Sequence, residues 1–474
     1  MGSRKVTDWQ GKHVTVAGLG VSGVPAAKVL HGLGARVTVV NDGDDARARA
    51  QAAELESLGV TVRLGDGATL PEGTELIVTA PGWKPDKPLF AAADEAGVPV
   101  WGDVELAWRL RGPDAAPWLA VTGTNGKTTT VQMLASILRA AGLRTAAVGN
   151  IGVSLLEAVL GEEEYDVLAV ELSSYQLHWA PSLRAHSAAV LNLAPDHLDW
   201  HGSMEAYARD KGRIYEGNRI ACVYNAADKA TEDLVREADV EEGCRAVGFT
   251  LGTPGPSQLG VVEGILVDRA FVENRQKNAQ ELAEVSDVNP PAPHNIANAL
   301  AAAALARAFG VPARAVRDGL RAFTPDAHRI AHVADVDGVA YVDDSKATNT
   351  HAAQASLAAY GSIVWIAGGL AKGAVFDELV ARSAGRLRGV VLIGADRALI
   401  REALARHAPE VPVVDLDRTD TGAMLAAVQE ARRLAVEGDT VLLAPACASM
   451  DMFANYNQRG DAFAEAVRGL GAGA

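Results

Sequence analysis

Cysteine, positive charge and long apolar segments are all scarce in this sequence of 474 residues. The three cysteines, Cys222, Cys244 and Cys447, are odd in number and far apart along the chain, which excludes a disulfide framework and indicates a reducing compartment. No apolar run approaches the ~20 residues that a membrane-spanning helix needs, and the start of the chain lacks the apolar core of a signal peptide. We therefore expect a cytoplasmic protein without membrane insertion.

Basic residues are outnumbered by acidic residues, 44 against 59, which gives a net charge of −15. A chain with this balance has no general attraction for nucleic acid. If its substrates are anions, they must be held locally by glycine loops, helix N-termini, a few lysines or metal ions.

The length and the alternation of elements predict an α/β protein with about three domains. Strand-like apolar runs alternate with Ala-rich helical stretches, a pattern typical of parallel sheets covered by helices. We expect three mostly parallel, doubly wound sheets: a Rossmann-like domain over residues 1–112, a central P-loop domain over 113–325 and a Rossmann-like domain over 326–474. The segment RGPDAAP, residues 111–117, is interpreted as a linker.

A glycine turn near the start resembles a dinucleotide-binding turn. Gly18, Gly20 and Gly23 fit the pattern G-x-G-x-x-G between a strand and a helix, and Asp42 follows Gly23 by 19 residues. An acidic residue at that distance can bind a ribose hydroxyl while the turn faces a pyrophosphate. A tight turn without a ligand remains the alternative, and the glycines do not choose NAD over another diphosphate nucleotide. A second glycine turn follows at Gly82.

The most specific local motif is the loop GTNGKTT between a strand and an amphipathic helix. It consists of Gly123, Thr124, Asn125, Gly126, Lys127, Thr128 and Thr129. Its backbone N–H groups and the helix N-terminus predict a phosphate cradle, with Lys127 facing β- and γ-phosphates and Thr128 able to bind Mg²⁺. The loop is shorter than the usual G-x-x-x-x-G-K-[ST], whose first glycine would fall at Val121.

Polar residues follow three further strands of the same block. Asn150 ends one strand, Glu171 ends another, and Asp196, His197 and Asp199 follow a third. Because the carboxyl ends of parallel strands share one sheet edge, Glu171 and His197 should lie beside the phosphate loop and suit one or two Mg²⁺ ions. The alternative is that Glu171 caps a helix and His197 hydrogen-bonds to a turn.

Two lysines and one serine are weaker candidates for a functional site when they are judged from the residues alone. Lys211, in a polar helical stretch, is interpreted as a solvated surface charge. Lys372 and Ser449 follow strands of the third block, where Lys372 has a solvated loop lysine as its alternative. With Thr348 they offer one cation and small donors, which suit a dicarboxylate substrate.

Six segments together resemble the Mur ligase family, the ATP-dependent amide ligases of peptidoglycan precursor synthesis. In chain order they are GTNGKTTT, ELSSYQL, LNLAPDHLDWHG, AYARDKGRIY, PHNIANALAAAALA and DDSKATNTHA. DDSKATN and LLAPACASMDMFANYNQRGDAF are similar to the members that add D-glutamate, and no DNPR-like stretch of the diaminopimelate-adding members is present. The resemblance covers nearly the whole chain.

The resemblance implies roles for the central residues. Lys127, Glu171, His197 and Lys211 would be catalytic, with Lys211 carrying a CO₂-derived carbamate. Two Mg²⁺ ions would be bound by Thr128, Glu171, His197 and the modified Lys211. ATP would contact the phosphate loop and Asn295, Asn298, His328 and Asp344.

The resemblance also assigns the two other substrates. The UDP substrate would bind the first domain through Gly20, Val21, Ser22, Asp42, Gly82 and Asn150. D-glutamate would bind the third domain through Thr348, Lys372, Ser449 and Tyr456. Two departures stand out: PAPHN replaces a segment in which the family often has glycine, which predicts a stiffer hinge, and Tyr456 stands where phenylalanine also occurs.

The activity implied is the joining of D-glutamate to UDP-N-acetylmuramoyl-L-alanine through an acyl phosphate, with release of ADP and phosphate, by a monomer that acts on small molecules. Another Mur or folylpolyglutamate-like ligase is the nearest alternative, although the latter would not need the first domain. A nicotinamide oxidoreductase would leave GTNGKTT unexplained. A P-loop switch protein would release phosphate without an acceptor.

Overall fold

Three separate sheets organise the chain. The computed structural model describes residues 9–418, 420 and 422–471. The chain divides into two units, one formed by the residues up to Asp287 with Ala297–Ala322 and the other by Val288–Ile296 with the residues from Phe323 onward. The first two sheets lie in the first unit and the third sheet lies in the second.

The first sheet has five parallel strands. They are β1 (His13–Ala17), β2 (Arg36–Asn41), β3 (Thr61–Leu64), β4 (Leu76–Thr79) and β5 (Val100–Gly102). Its helices are α1 (Gly23–Gly32), α2 (Ala46–Ser57), α3 (Pro88–Glu95) and α4 (Asp103–Leu110). The strand order β3-β2-β1-β4-β5 reverses direction between β1 and β4, and such a reversal opens a ligand-binding crevice at the carboxyl ends.

The central sheet has nine strands. They are β6 (Trp118–Thr122), β7 (Ala147–Gly149), β8 (Leu168–Glu171), β9 (Ser187–Val190), β10 (Ala221–Asn225), β11 (Arg245–Phe249), β12 (Gln258–Val262), β13 (Ile265–Asp268) and β14 (Gln280–Glu284). Their order is β14-β13-β12-β11-β10-β9-β6-β8-β7, parallel except for the antiparallel β12–β13–β14 meander. The edge on which β6, β8 and β9 end is therefore shared by three adjacent strands.

Eight helices accompany the central sheet. They are α5 (Lys127–Ala140), α6 (Leu155–Leu160), α7 (Ser174–His178), α8 (Leu198–His201), α9 (Met204–Gly212), α10 (Lys229–Glu237), α11 (Pro293–Ala308) and α12 (Ala313–Ala322). The apolar face of α5, including Val131, Leu134 and Leu138, is buried as its spacing predicts. Gly319 lets α12 approach α5 closely, since a Cβ there would lie 2.4 Å from the Cα of Ile137.

The third sheet is also mostly parallel. Its strands are β15 (Ala331–Val336), β16 (Val339–Asp343), β17 (Ile363–Gly368), β18 (Leu387–Ile393), β19 (Val413–Asp415) and β20 (Thr440–Leu443). Its helices are α13 (Thr350–Ala358), α14 (Asp377–Ser383), α15 (Arg397–His407), α16 (Ala423–Leu434) and α17 (Tyr456–Gly471). The order is β15-β16-β20-β17-β18-β19, with only β15 antiparallel.

The predicted fold class is confirmed: three α/β domains are built on mostly parallel sheets. The exact domain limits stay a prediction. Within the residues that the structure describes, no helix is long and apolar enough to cross a bilayer.

Two cysteines that are distant in sequence are neighbours in space. The Sγ atoms of Cys222 and Cys244 lie 3.9 Å apart as free thiols. The two thiols are close because β10 and β11 are adjacent strands.

Candidate active site

The GTNGKTT loop connects β6 to α5 and is fixed by close backbone approaches. Gly126 has a φ of 84°, and a Cβ at this position would lie 2.4 Å from Oδ1 of Asn298. Asn192, after β9, accepts from the N–H of Asn125 at 2.9 Å and donates to its carbonyl at 3.0 Å. Asn298, a predicted nucleotide contact, thus lies beside the loop. Position 126 requires glycine because of its positive φ and because a Cβ would collide with Asn298.

Lys127 folds back over the loop that precedes it. Its Nζ donates to the carbonyl oxygens of Gly123 and Thr124, both at 2.9 Å. The ammonium group therefore lies at the N-terminus of α5, where backbone N–H groups already favour an anion. Thr124 is held in turn by the hydroxyl of Tyr207 at 3.0 Å.

Glu171 connects the phosphate loop to the neighbouring strands. Its Oε2 accepts from the hydroxyl of Thr128 at 2.7 Å, and its Oε1 accepts from the side chain of Asn150 at 2.9 Å. Glu171 is buried at the end of β8. The structure thus brings Thr128, Asn150 and Glu171 together on the predicted edge of the sheet.

Lys211 is buried, so its interpretation as a solvated surface charge is wrong. The residue is 2% exposed on α9, and its Nζ donates to the carbonyl of Gly123 at 2.9 Å and the hydroxyl of Thr122 at 3.3 Å. Burial, and next the charge of Lys127, hold the pKa of Lys211 well below its usual range. Local composition gives no sign of this because helix packing decides which face is buried.

His197 begins α8 in a left-handed conformation, with a φ of 55°. Its side chain is 45% exposed, and partial desolvation lowers its pKa; Asp196 opposes this effect, and the charges of Lys127 and Lys211 add to it. Its ring centroid lies 4.8 Å from that of Tyr175. His197 therefore shares the electrostatic environment of the two lysines, as the strand-end argument predicts.

A hydrogen-bonded network beside His197 was missed by sequence reasoning. Asp210 accepts from His178 at 2.9 Å and from His201 at 3.0 Å, and the other ring nitrogen of His201 lies 2.9 Å from the hydroxyl of Ser174. Burial raises the pKa of Asp210, but the two histidine hydrogen bonds outweigh it and lower the pKa to about 2. The network joins α7, α8 and α9.

The donors at this edge fit a magnesium ion that arrives with a nucleotide. No group of three His, Cys, Asp or Glu side chains gathers as a metal cage in residues 9–418, 420 and 422–471. Thr128 and Glu171 nevertheless supply a hydroxyl and a carboxylate 2.7 Å apart. Mg²⁺ is commonly held by one or two carboxylates together with substrate phosphates and water.

The glycine turn of the first sheet is held by neutral and acidic groups. The N–H of Leu19 donates to Oδ1 of Asn41 at 3.0 Å, and the hydroxyl of Ser22 donates to Asp103 at 3.0 Å. Gly20 and Val21 lie between them, and Val21 is 85% exposed. The turn therefore presents its tip to solvent.

Asp42, which follows β2, is engaged in an ion pair. Its carboxylate pairs with Nζ of Lys87 at 2.5 Å, whereas the preceding residue, Asn41, contacts the turn. Asn41 is therefore a candidate site residue that the spacing rule missed by one position. Gly82 lies in the loop after β4, and its carbonyl accepts from the indole N–H of Trp200 at 3.2 Å.

In the second unit, the side chains of His328 and Asp344 form hydrogen bonds with residues of the same unit. His328 pairs with Asp343 at 2.6 Å, and this hydrogen bond raises the pKa of His328. Burial raises the pKa of Asp344 to about 7, and its carboxylate accepts from the hydroxyl of Ser356 and the N–H of Ile330.

Asn295, which is assigned to the second unit, donates through its side chain to the carbonyl of Pro290 at 3.3 Å. This contact lies within the Pro-rich segment that precedes α11. The amide group of Asn295 is therefore anchored locally.

Three of the four predicted D-glutamate residues, Thr348, Lys372 and Ser449, lie on loops of the third sheet, and the fourth, Tyr456, begins α17. Backbone hydrogen bonds of 2.9 Å between Leu370 and Ala448 join the loop of exposed Lys372 to that of buried Ser449. The N–H of Thr348 donates to the carbonyl of Lys346 at 2.8 Å, and the Lys346 ammonium lies 3.9 Å from the ring centroid of Tyr456.

Arg459 is a buried residue that sequence reasoning missed. Its guanidinium donates to the carbonyl of Ser345 at 2.8 Å and to the carbonyl of Cys447 at 3.1 Å. It therefore ties the DDSKATN loop to the ACAS loop. The sequence marks it only as one arginine in the polar start of α17.

Family models match two long segments of the chain. The Mur ligase middle domain matches residues 121–306, and the Mur ligase glutamate ligase domain matches residues 328–447. A protein of Streptomyces avermitilis named UDP-N-acetylmuramoylalanine–D-glutamate ligase is 91% identical over 98% of this chain and all of the relative. This chain belongs to the Mur ligase family. A protein of the same name from Streptomyces coelicolor is 90% identical over 98% of this chain and all of the relative.

Solved Mur ligase structures share the fold at low sequence identity. UDP-N-acetylmuramate-alanine ligase MurC from Thermotoga maritima has a TM-score of 0.56 at 17% identity, covering 97% of this chain and 99% of that one. The MurF ligase from Thermotoga maritima, in complex with ADP, has a TM-score of 0.58 at 16% identity, covering 99% and 97%. Residues 13–78, around the glycine turn, also match a pyridine nucleotide-disulphide oxidoreductase model.

Proposed function

We propose that this Mur ligase joins D-glutamate to UDP-N-acetylmuramoylalanine with cleavage of ATP to ADP and phosphate, in peptidoglycan precursor synthesis. Two relatives that carry this enzyme name are at least 90% identical over 98% of the chain. The observation that carries the chemistry is the convergence of Lys127 and Lys211 on the carbonyl of Gly123, beside the Thr128–Glu171 pair. Positive charge, a metal-binding hydroxyl and a carboxylate meet there, as phosphoryl transfer requires.

ATP binds the GTNGKTT loop in this proposal. Backbone N–H groups and Lys127 hold the β- and γ-phosphates. Asn298 lies beside Gly126, and we assign it to the adenine side of ATP. Asn295, His328 and Asp344 complete the nucleotide site. The alanine carboxylate attacks the γ-phosphorus, the bond to the ADP oxygen breaks, and an acyl phosphate forms.

Thr128, Glu171 and His197 would hold Mg²⁺, with two ions bound in the working enzyme. When bound, the ions neutralise charge on the phosphate oxygens. Glu171 is preorganised for this role because the Thr128 hydroxyl and the Asn150 amide already fix both of its oxygens.

Lys211 carries a carbamate in this proposal. Burial and the charge of Lys127 lower the pKa of Lys211 and so favour its neutral, nucleophilic form. Its nitrogen attacks the carbon of CO₂, an N–C bond forms, and one proton is lost to water. The product is an anion that the ammonium group of Lys127 attracts, and it would add a metal ligand beside Glu171.

D-glutamate is bound by Thr348, Lys372, Ser449 and Tyr456. Its amine attacks the acyl carbon, the C–O bond to the phosphate breaks, and phosphate leaves with an oxygen of the original carboxylate. Lys372 is the cation for a substrate carboxylate, and Thr348 and Ser449 are small donors that leave room for it.

The UDP substrate is placed at the first sheet, along Gly20, Val21, Ser22, Gly82 and, on the central sheet, Asn150. Asp42 takes part once its ion pair with Lys87 opens. Each of the domains 1–112, 113–325 and 326–474 thus holds one reactant. We place the enzyme in the cytoplasm as a monomer.

Product analysis by mass spectrometry tests the proposal most economically. Purified protein is incubated with ATP, Mg²⁺ and UDP-N-acetylmuramoylalanine, and each amino acid is offered in turn. D-glutamate alone should yield a ligated product with equimolar ADP. A product formed with another amino acid instead, or phosphate release that needs no acceptor, would contradict the assignment.

A further inference from the structure

A polar cavity of about 380 Å³ lies at the amino-terminal edge of the central sheet. Trp118 begins β6, His186 immediately precedes β9, and Arg219 lies just before β10. The phosphate loop follows the opposite, carboxyl end of β6. The cavity is therefore separate from the ligase site, and none of its residues has a role there.

Three arginines line this cavity, and two of them are held by close packing. The guanidinium carbon of Arg111 lies 3.2 Å from the ring centroid of Trp108, which packs edge-on against Trp118 at 5.0 Å. The stem of Arg184 crosses Gly217, where a Cβ would lie 1.8 Å from its Cδ. Nη1 of Arg184 donates to the carbonyl of Leu183 at 2.7 Å. Glycine at 217 thus makes room for the arginine.

The remaining polar residues set the charge of the cavity. Arg219 lies 3.9 Å from Glu241, and both side chains are 58% exposed at the mouth. Burial, and next the charge of Arg219, lower the pKa of His186 to about 4, so its ring is neutral near pH 7. The lining residues thus include three arginines and one glutamate, an excess of two positive charges in a chain of net charge −15.

We propose that this cavity is a binding site for a small phosphate-bearing anion. The excess of two charges matches a phosphate dianion, and guanidinium groups bind phosphate oxygens with paired N–H donors. The neutral ring of His186 adds a hydrogen-bonding group without added charge. A volume of about 380 Å³ is within the range of small-molecule sites, so the ligand is inorganic phosphate or the phosphoryl group of a small metabolite.

Calorimetric titration of the full-length protein with inorganic phosphate tests this proposal. The phosphate loop is first saturated with Mg²⁺ and a non-hydrolysable ATP analogue, which occupies all three phosphate positions of the ligase site. We expect one phosphate to bind per chain. Arg184→Gln and Arg219→Gln should each weaken binding about tenfold or more, because each removes a charged donor.

Glu241→Gln should change the affinity for phosphate in the opposite direction from the two arginine variants. It therefore distinguishes recognition of charge from general damage to the protein, which could only weaken binding. Removing the one carboxylate should tighten phosphate binding about threefold or more. Arg314→Gln, at an exposed position of α12, lowers the net charge by one as the two arginine variants of the cavity do, and it should leave binding unchanged. Glycerol phosphate is titrated in parallel: tighter binding than inorganic phosphate identifies a phosphorylated metabolite, and equal binding identifies phosphate itself.

Two results would overturn the site. One is the absence of phosphate binding to the analogue-loaded protein. The other is an isotherm that is the same in wild type, Arg184→Gln, Arg219→Gln and Glu241→Gln. Ligase turnover, measured on each variant, shows that the protein is folded and depends on none of these outcomes.

Discussion

The carboxyl edges of the first and the central sheet both carry glycine turns, but different groups hold them. At the first sheet, Asn41 and the Ser22–Asp103 pair fix the turn without any ammonium group in these contacts. At the central sheet, Lys127 and Lys211 both donate to the carbonyl of Gly123. The comparison supports our proposal that phosphoryl transfer takes place where the two lysines converge, and that the first turn serves binding alone.

Lys127→Ala should give the largest effect in this comparison. Loss of the ammonium group at the phosphate loop removes charge compensation in the transition state, so ADP formation should fall about a thousandfold or more. Binding of UDP-N-acetylmuramoylalanine, measured by calorimetry, should stay within about twofold of wild type. Lys229→Ala, an exposed lysine of α10, is the matched control and should retain full turnover. Normal turnover in Lys127→Ala would refute the role of the loop.

Removal of Mg²⁺ should likewise abolish the chemistry at the central sheet and leave substrate binding at the first sheet unchanged. Chelation should abolish ADP formation, because Thr128 and Glu171 lack a full set of protein ligands and depend on the nucleotide for the metal. Binding of the UDP substrate to the first sheet should persist. Turnover that continues in excess chelator would contradict the proposed metal site.

Carbon dioxide should modulate turnover through Lys211. Enzyme kept in CO₂-depleted buffer should lose activity several-fold, and bicarbonate should partly restore it. Lys211→Ala should be inactive and should not respond to bicarbonate. A rate that is insensitive to CO₂ in the wild-type enzyme would count against a carbamate.

Ser22→Ala should raise the KM for the UDP substrate about three- to tenfold with little change in kcat. The hydroxyl fixes the turn through Asp103, and a hydrogen bond of this kind contributes about 0.5–1.5 kcal/mol. Steady-state kinetics with varied UDP substrate give the separation. A fall in kcat at unchanged KM would show that this turn contributes to the chemical step, which would contradict its proposed role in binding alone.

The smallest expected effect is the difference in KM for the UDP substrate between Asn41→Ala and Asp42→Ala. Asn41 holds the turn and Asp42 pairs with Lys87, so Asn41→Ala should raise the KM more, by about two- to fivefold. The same kinetic assay compares the two variants. A larger rise in KM for Asp42→Ala than for Asn41→Ala would instead support the substrate contact that the spacing rule predicts for Asp42.

The central edge was largely predictable from sequence because parallel topology places successive strand ends together. The strand before GTNGKTT and the strand ending at Glu171 are adjacent in the sheet, and Thr128 contacts Glu171 directly. Motif spacing and hydrophobic runs suffice for such an argument.

The missed features depend on side-chain direction and on long-range packing. Side chains alternate along a strand, so one position separates Asn41, which contacts the turn, from Asp42, which does not. Burial of Lys211 and the joining of His178, His201 and Asp210 depend on how α7, α8 and α9 pack. Local sequence encodes neither.

Transfer of ¹⁸O from the alanine carboxylate of UDP-N-acetylmuramoylalanine tests directly whether the edge formed by β6, β8 and β9 brings a carboxylate onto the γ-phosphate. With both carboxylate oxygens labelled, each released phosphate should contain one ¹⁸O atom, since the acyl C–O bond breaks when the amine attacks. Unlabelled phosphate alongside ligated product would contradict the account.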